Sequence, residues 1–348
     1  EYRMTSSRYH AGSLWDIAVR ESSQSDSIEV TRKTGEATII IVGGKKSGKS
    51  SIIRGFMEEK TSDIKPTLAL DYTYKKINSA SGKSMTQDVC HIWELGGGTV
   101  FSHLLDNLLR YADPLKMTFV CVLDLSQLST MWFTMDVLIS DVQKNFMSLV
   151  KSAGQGERSV REILEASAWN RACPIDDHPD KPSMIPFPVP LVIIGSKYDV
   201  FQNFDPEQKK IVSRALRCVA HTLGAALVFV SVFESSLMRK MGDVLWSTVL
   251  EQEASVSVCP DHNKPVLMLP GRDSFGAISE TPRTREMWKQ IFTTQFPQIG
   301  TDKADLPEDP NLDPRFREPS IDMLRAQKDQ ELERYRREME RHRRQNLI

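Results

Sequence analysis

Residues 43–50 read GGKKSGKS and follow the apolar run TIIIV at 38–42. The eight residues fit GxxxxGK[ST] in full, and a helix-forming stretch, SSIIRGFMEE, leaves them. A strand, a glycine-bearing turn and a helix in that order predict a phosphate-binding loop. Glycine lets the backbone turn tightly enough for consecutive N–H groups to point inward at phosphate oxygens. The helix N-terminus adds partial positive charge at the same place. The motif assigns phosphate contacts to Gly43, Lys46, Ser47, Gly48, Lys49, Ser50 and Ser51. Lys49 bridges the terminal phosphates in this scheme, and the Ser50 hydroxyl reaches Mg²⁺. The loop alone does not say whether the nucleotide is hydrolysed or only held.

The chain has 348 residues, of which 40% are hydrophobic, enough to bury a sizeable core in one large domain or two ordinary ones. A formal net charge of −1 provides no overall field for nucleic acid or an anionic membrane, and neither partner is expected. No apolar run approaches the roughly 18 residues that span a bilayer. The opening EYRMTSSRYHAGS has no apolar leader core and no initiator Met, which reads as part of a longer protein. Cys90, Cys121, Cys173, Cys218 and Cys259 are scattered without a CxxC pair. That pattern predicts a reducing cytosolic compartment and neither a disulfide framework nor a zinc site.

Strand and helix signals alternate from residue 35 to 254, as in a sheet covered by helices. Strands are predicted at 38–42, 68–77, 87–94, 118–124, 189–194 and 226–231. Helices are predicted near 49–59, 99–110, 130–152, 157–171, 206–223 and 235–253. TIIIV, FVCVL and LVII look like central parallel strands buried on both faces, whereas LALDYTYKKI alternates and belongs nearer an edge. An insertion at about 153–188 carries its own helix and a Pro-rich loop. Residues 1–34 are polar except for LWDIAVRE, whose Leu14, Trp15 and Ile17 suit a short docking helix. Residues 255–318 read as an irregular arm that wraps over the domain or a partner. Residues 319–348 read as a charged helix with Ile321, Leu324, Leu332, Tyr335 and Met339 in one stripe. Such a stripe folds back on the body or packs on another chain.

GSKYD at 195–199 stands where GTP-binding proteins end a strand in [NT]KxD, and Lys197 and Asp199 fit. There the Asp takes two hydrogen bonds from guanine and the Lys stem covers the ring. Ser196 replaces the usual Asn, and the shorter hydroxyl is expected to lose contacts that brace the pocket. An ordinary strand-end turn with a capping Asp is the other reading. Ser231 ends the sixth strand, where a further base contact is made. Thr67, 17 residues after Ser50, is either the switch threonine of a small GTPase or a threonine at a strand start. In ELGGGT, Glu94 stands for the Mg²⁺-linked Asp and Gly97 for the γ-phosphate glycine. Gly98 falls where a Gln orients the attacking water, and glycine has no side chain for that task. Slow hydrolysis or none is expected, unless a partner supplies the missing group.

VGGKKSGKSSII, KPTLALDYTY, HIWELGGGT and FPVPLVIIGSKYDVFQ together resemble the light intermediate chains of cytoplasmic dynein, and the dynein-2 form most closely. The resemblance extends from LWDIAVRE through PVLMLPGRDSFG to the final helix. It implies an α/β P-loop NTPase fold, a Ras-like six-stranded, mostly parallel sheet with helices on both faces and extended terminal segments. It implies a scaffold that binds the heavy-chain tail, other dynein-2 intermediate and light chains, and intraflagellar transport trains. Cytoplasm, cilium axoneme and basal body are the implied locations, and GDP or GTP with Mg²⁺ the implied ligands. The residues expected to meet the heavy chain are Leu14, Trp15, Ile17, Leu324, Leu332 and Tyr335, together with the arm. The alternative is a GTP-hydrolysing switch with an activating partner. A P-loop ATPase or kinase fits less well, because KYD favours guanine.

Overall fold

A computed structural model describes residues 36–58, 65–78, 87–152, 158–173, 178–252, 254–281, 284–300, 309–310 and 313–345. Leu14, Trp15 and Ile17 of the expected docking helix lie outside the described residues. The chain opens with β1 (Glu36–Gly43), α1 (Lys49–Met57), β2 (Leu70–Asn78) and β3 (Gln87–Leu95). Then come α2 (Leu105–Tyr111), β4 (Met117–Asp124), α3 (Leu128–Ser152), α4 (Arg158–Ala172) and β5 (Leu191–Ser196). A single turn, α5 (Tyr198–Phe201), leads to α6 (Pro206–Leu223), β6 (Ala226–Phe229) and α7 (Ser235–Val249). The last elements are β7 (Leu267–Met268), α8 (Phe275–Ile278), α9 (Arg285–Gln295) and α10 (Pro319–Gln345).

The strands form one sheet in the order β2-β3-β1-β4-β5-β6-β7. The five inner strands are parallel, while β2 and β7 run antiparallel at the two edges. TIIIV becomes the middle of β1 because its β-branched side chains can be buried on both faces of a pleated strand. Ile40 and Val42 join a core with α3, α6 and α9, and Ile39 and Ile41 join another with α1 and α7. Period-two alternation thus feeds both layers from a single strand. Alternation in β2 has the edge position expected of it, and Tyr72 and Tyr74 stay exposed. No described helix is long and apolar enough to cross a membrane.

The sheet has seven strands, not the six expected, because Leu267 and Met268 pair with Val228 and Leu227. Two residues are too short to show a period, so nothing in the sequence sets them apart from the arm. The arm is correspondingly less independent than expected. Trp288, Phe292 and Phe296 enter the core beside α3 and α6, with the Trp132 and Phe292 rings 5.3 Å apart. Gln298 caps α3: its Oε1 accepts from Trp132 N and Phe133 N at 3.0 and 3.2 Å. Its Nε2 donates to Leu128 O at 2.9 Å. Of the two courses open to the arm, over the domain or over a partner, Val266, Met268, Phe275, Ile278, Trp288, Phe292 and Phe296 take the first.

A buried ion pair pins the arm. Arg217 on α6 donates from Nε and Nη2 to both oxygens of Asp273, at 2.8 and 2.7 Å. The two side chains are only 7% and 5% exposed. Removing one partner of such a pair strands a charge in the interior, which costs about 3–5 kcal/mol. Asp273→Ala is expected to lose that amount in urea unfolding, and the double change Arg217→Leu with Asp273→Leu less. A loss below about 1 kcal/mol for Asp273→Ala would show that the arm does not belong to the cooperative unit.

Candidate nucleotide-binding site

The sheet order reverses between β1 and β4, and a cleft opens at their carboxyl ends, where open α/β sheets place ligands. A cavity of about 340 Å³ lies there. Its walls are the loop at 44–46, the loop at 97–100, the end of β4 at 122–124, the first turns of α3 and Lys197. Its size falls within the roughly 300–1,000 Å³ of ligand pockets.

The P-loop departs from β1 at Gly43, which pairs with Val122 of β4. A Cβ at Gly43 would lie 2.3 Å from the Val122 carbonyl oxygen, so no larger residue fits. Gly48, at φ +90°, sits in the left-handed region and starts α1. Lys49 is 5% exposed and its Nζ donates to the carbonyls of Gly43 and Gly44 at 3.2 and 2.9 Å. Burial pushes its pKa down, opposed by the nearby Glu94 carboxylate. Burial likewise pushes the Glu94 carboxyl up, opposed by Lys49 and by hydrogen bonds from Ser50 and Thr67. The Cys121 thiol, pushed up to about 12 by burial, is an inert core group.

Ser50 Oγ donates to Glu94 Oε1 at 2.8 Å and stands 3.4 Å from Thr67 Oγ1. The structure thus gathers Ser50, Thr67 and Glu94 from α1, the approach to β2 and the end of β3. Three hard oxygens within one small volume suit Mg²⁺, which is held by oxygen ligands and keeps several waters. The buried Ser47 hydroxyl has no partner among the described residues. Gly97 and Gly98 both have left-handed φ, +66° and +65°. A Cβ at Gly98 would approach the Lys45 backbone N to 3.3 Å, so this loop lies against the P-loop itself.

Lys197, a wall of the same cavity, has φ +58° and its ammonium pairs with Asp124. Asp124 also accepts from Ser126 N and Oγ, at 2.9 and 2.6 Å. Asp199 Oδ1 accepts from Ser231 Oγ at 2.7 Å, which joins two of the three expected base-contact residues. Ser196 departs from the expectation of lost bracing. Its hydroxyl lies 2.7 Å from the Ser47 carbonyl and 3.0 Å from that of Leu123, linking the P-loop, β4 and the KYD turn. Parallel strands bring these three backbones close enough for a short side chain to span them.

Asp124 was missed in the sequence, although a carboxylate closing an apolar strand was its available signal. Leu324, Leu332 and Tyr335 lie apart from the cleft on α10, 60%, 48% and 59% exposed.

Residues 38–148 match the family model described as Ras of Complex, Roc, domain of DAPkinase. The chain is 36% identical over 347 residues to cytoplasmic dynein 2 light intermediate chain 1 of Mus musculus, spanning 93% of this chain and 95% of that protein. Against the Homo sapiens protein of the same name the identity is 35% over 343 residues, with the same coverage. Among solved structures, the crystal structure of the dynein light intermediate chain's conserved domain superposes with a TM-score of 0.54 at 17% identity. That match covers 81% of this chain and 94% of the other, and it shows a shared fold. With relatives so similar over almost their whole length, this chain belongs to the family of cytoplasmic dynein 2 light intermediate chains.

Proposed function

We propose that this chain is a non-catalytic subunit of the cytoplasmic dynein-2 motor, one that binds and stabilises the heavy-chain tail for retrograde intraflagellar transport and cilium assembly. The observation that carries the reading is the near full-length similarity to proteins named cytoplasmic dynein 2 light intermediate chain 1. Other dynein-2 intermediate and light chains and the transport trains belong to the same proposal, with the cytoplasm, axoneme and basal body as its locations. Docking falls to the α10 stripe and to Leu14, Trp15 and Ile17. The stripe is favoured because Ile321, Leu324, Leu332, Tyr335 and Met339 stay exposed along one long helix. Replacing Leu324 and Leu332 by Glu is expected to cut co-purification with the heavy-chain tail at least tenfold without lowering the melting temperature. Undiminished recovery would reject α10 as a docking element.

The cleft is assigned GDP or GTP with Mg²⁺, held as a structural ligand. Lys49 and the loop N–H groups meet the phosphates, Ser50 with Thr67 and Glu94 holds the ion, and Lys197, Asp199 and Ser231 hold the base. The bound nucleotide supplies charge that the buried Lys49 and the α1 N-terminus match. A ligand that binds only the folded state stabilises it by RT ln(1 + [L]/Kd). Lys49→Ala is expected to abolish the rise in melting temperature on adding GDP and Mg²⁺ while leaving heavy-chain binding within twofold. Loss of heavy-chain binding by well-folded Lys49→Ala would mean that the nucleotide is part of the docking mechanism.

A GTP-hydrolysing switch is the second reading, favoured by the Roc match. The main reading expects single-turnover hydrolysis below the roughly 3–5 × 10⁻⁴ s⁻¹ of unassisted Ras, with equal heavy-chain affinity in GDP and GTP-analogue states. Faster turnover joined to a nucleotide-dependent affinity would establish the switch.

A further inference from the structure

Phe233 is 83% exposed, the greatest exposure of any large hydrophobic side chain among the described residues. It stands in the turn between β6 and α7, closed by Glu234 N donating to Ser231 O at 3.2 Å. The turn is held in place from within. Phe233 N donates to Ser231 Oγ at 3.3 Å, and Ser231 Oγ donates to Asp199 Oδ1 at 2.7 Å. Ser231 itself is fully buried, and Tyr198 N donates to Val230 O at 3.0 Å. The backbone that carries the ring is therefore tethered two hydrogen bonds from a carboxylate.

Val200 and Val232, next in sequence to Asp199 and Ser231, are also exposed, so the two loops joined by the Ser231–Asp199 hydrogen bond carry three exposed apolar side chains. Apolar faces around an acceptor fit a flat ring whose edge donates hydrogens. A carboxylate has about four acceptor sites and can take a base edge alongside Ser231. Guanine offers two adjacent N–H groups on that edge. Adenine offers a donor beside an acceptor, which a carboxylate repels.

We propose that Phe233 stacks on the base of a bound guanine nucleotide and sets its affinity, while Asp199 accepts from the base edge and the Lys197 stem packs on the ring. The inference rests on the nucleotide reading above and adds the residue that distinguishes a base from a bare phosphate chain. Stacking on an aromatic ring is tolerant in geometry and changes affinity by about tenfold or more per base.

The test is calorimetric titration of the whole chain with GDP and, separately, with inorganic tripolyphosphate, both with Mg²⁺. The variants are Phe233→Ala and Phe233→Trp, and because the side chain is exposed neither is expected to shift the melting temperature. Phe233→Ala is expected to weaken GDP about tenfold and to leave tripolyphosphate unchanged. Phe233→Trp is expected to keep GDP affinity and show indole fluorescence quenched by the base. Equal GDP affinity in wild type and Phe233→Ala overturns the stacking role and leaves the nucleotide pocket standing. A wild-type chain that takes neither GDP nor tripolyphosphate overturns both.

Discussion

A lysine ammonium shut away from water sets the terms for the carboxyl end of the sheet. A buried charge without partners costs far more than a folded domain can spare. Lys49 meets that demand with two carbonyls of its own loop and the nearby Glu94 carboxylate. Those carbonyls are in place only because β1 runs tight against β4 and then turns. Gly43 allows the close approach, since any side chain there would strike Val122. Glu94 is itself buried and takes a hydrogen bond from Ser50, one residue beyond Lys49. Strand spacing, glycine placement and the first turn of α1 together house one charge.

The same tight packing bears on chemistry. The loop at 97–98 lies on the P-loop backbone in left-handed conformation, a region that L side chains rarely adopt. A glutamine at 98 would have to bear that strain and also press on Lys45 N at 3.3 Å. The backbone at 98 thus leaves no easy place for a side chain that could aim a water. Retention and turnover are separable demands, because binding needs matched charge whereas rate needs groups positioned for the transition state.

The inner strands were legible because parallel strands buried on both faces read as unbroken apolar runs, and TIIIV, FVCVL and LVII are such runs. The P-loop was legible because its spacing is dictated by phosphate geometry. What escaped was stability assembled from single contacts between distant segments. Arg217 and Asp273 are 56 positions apart, and neither carries a local pattern that names the other. Leu267 and Met268 make a strand only because β6 offers an open edge. Ser196 looked like a loss beside asparagine, yet its reach depends on how near the P-loop and β4 backbones lie, a tertiary distance. The exposed stripe of α10 was legible as a stripe, while the choice between folding back and projecting needed the contacts.

The arm explains why α10 is left without cover. Trp288, Phe292 and Phe296 fill the space against α3 and α6, and Gln298 closes the end of α3. Those faces are occupied before the chain reaches α10. Its described beginning is held to the body through an exposed Lys65–Glu318 pair at 3.4 Å, a contact worth little in water. Intrahelical pairs such as Arg337–Glu333 and Lys328–Glu331 add a few tenths of a kcal/mol each and favour the helix without burying its stripe. At 27 residues the helix is well beyond the roughly 12–15 below which isolated helices are marginal, so it can stand without burying the stripe. The stripe thus stays open to solvent along a helix that local pairs support, while the arm has already taken the apolar faces of α3 and α6 that could have covered it.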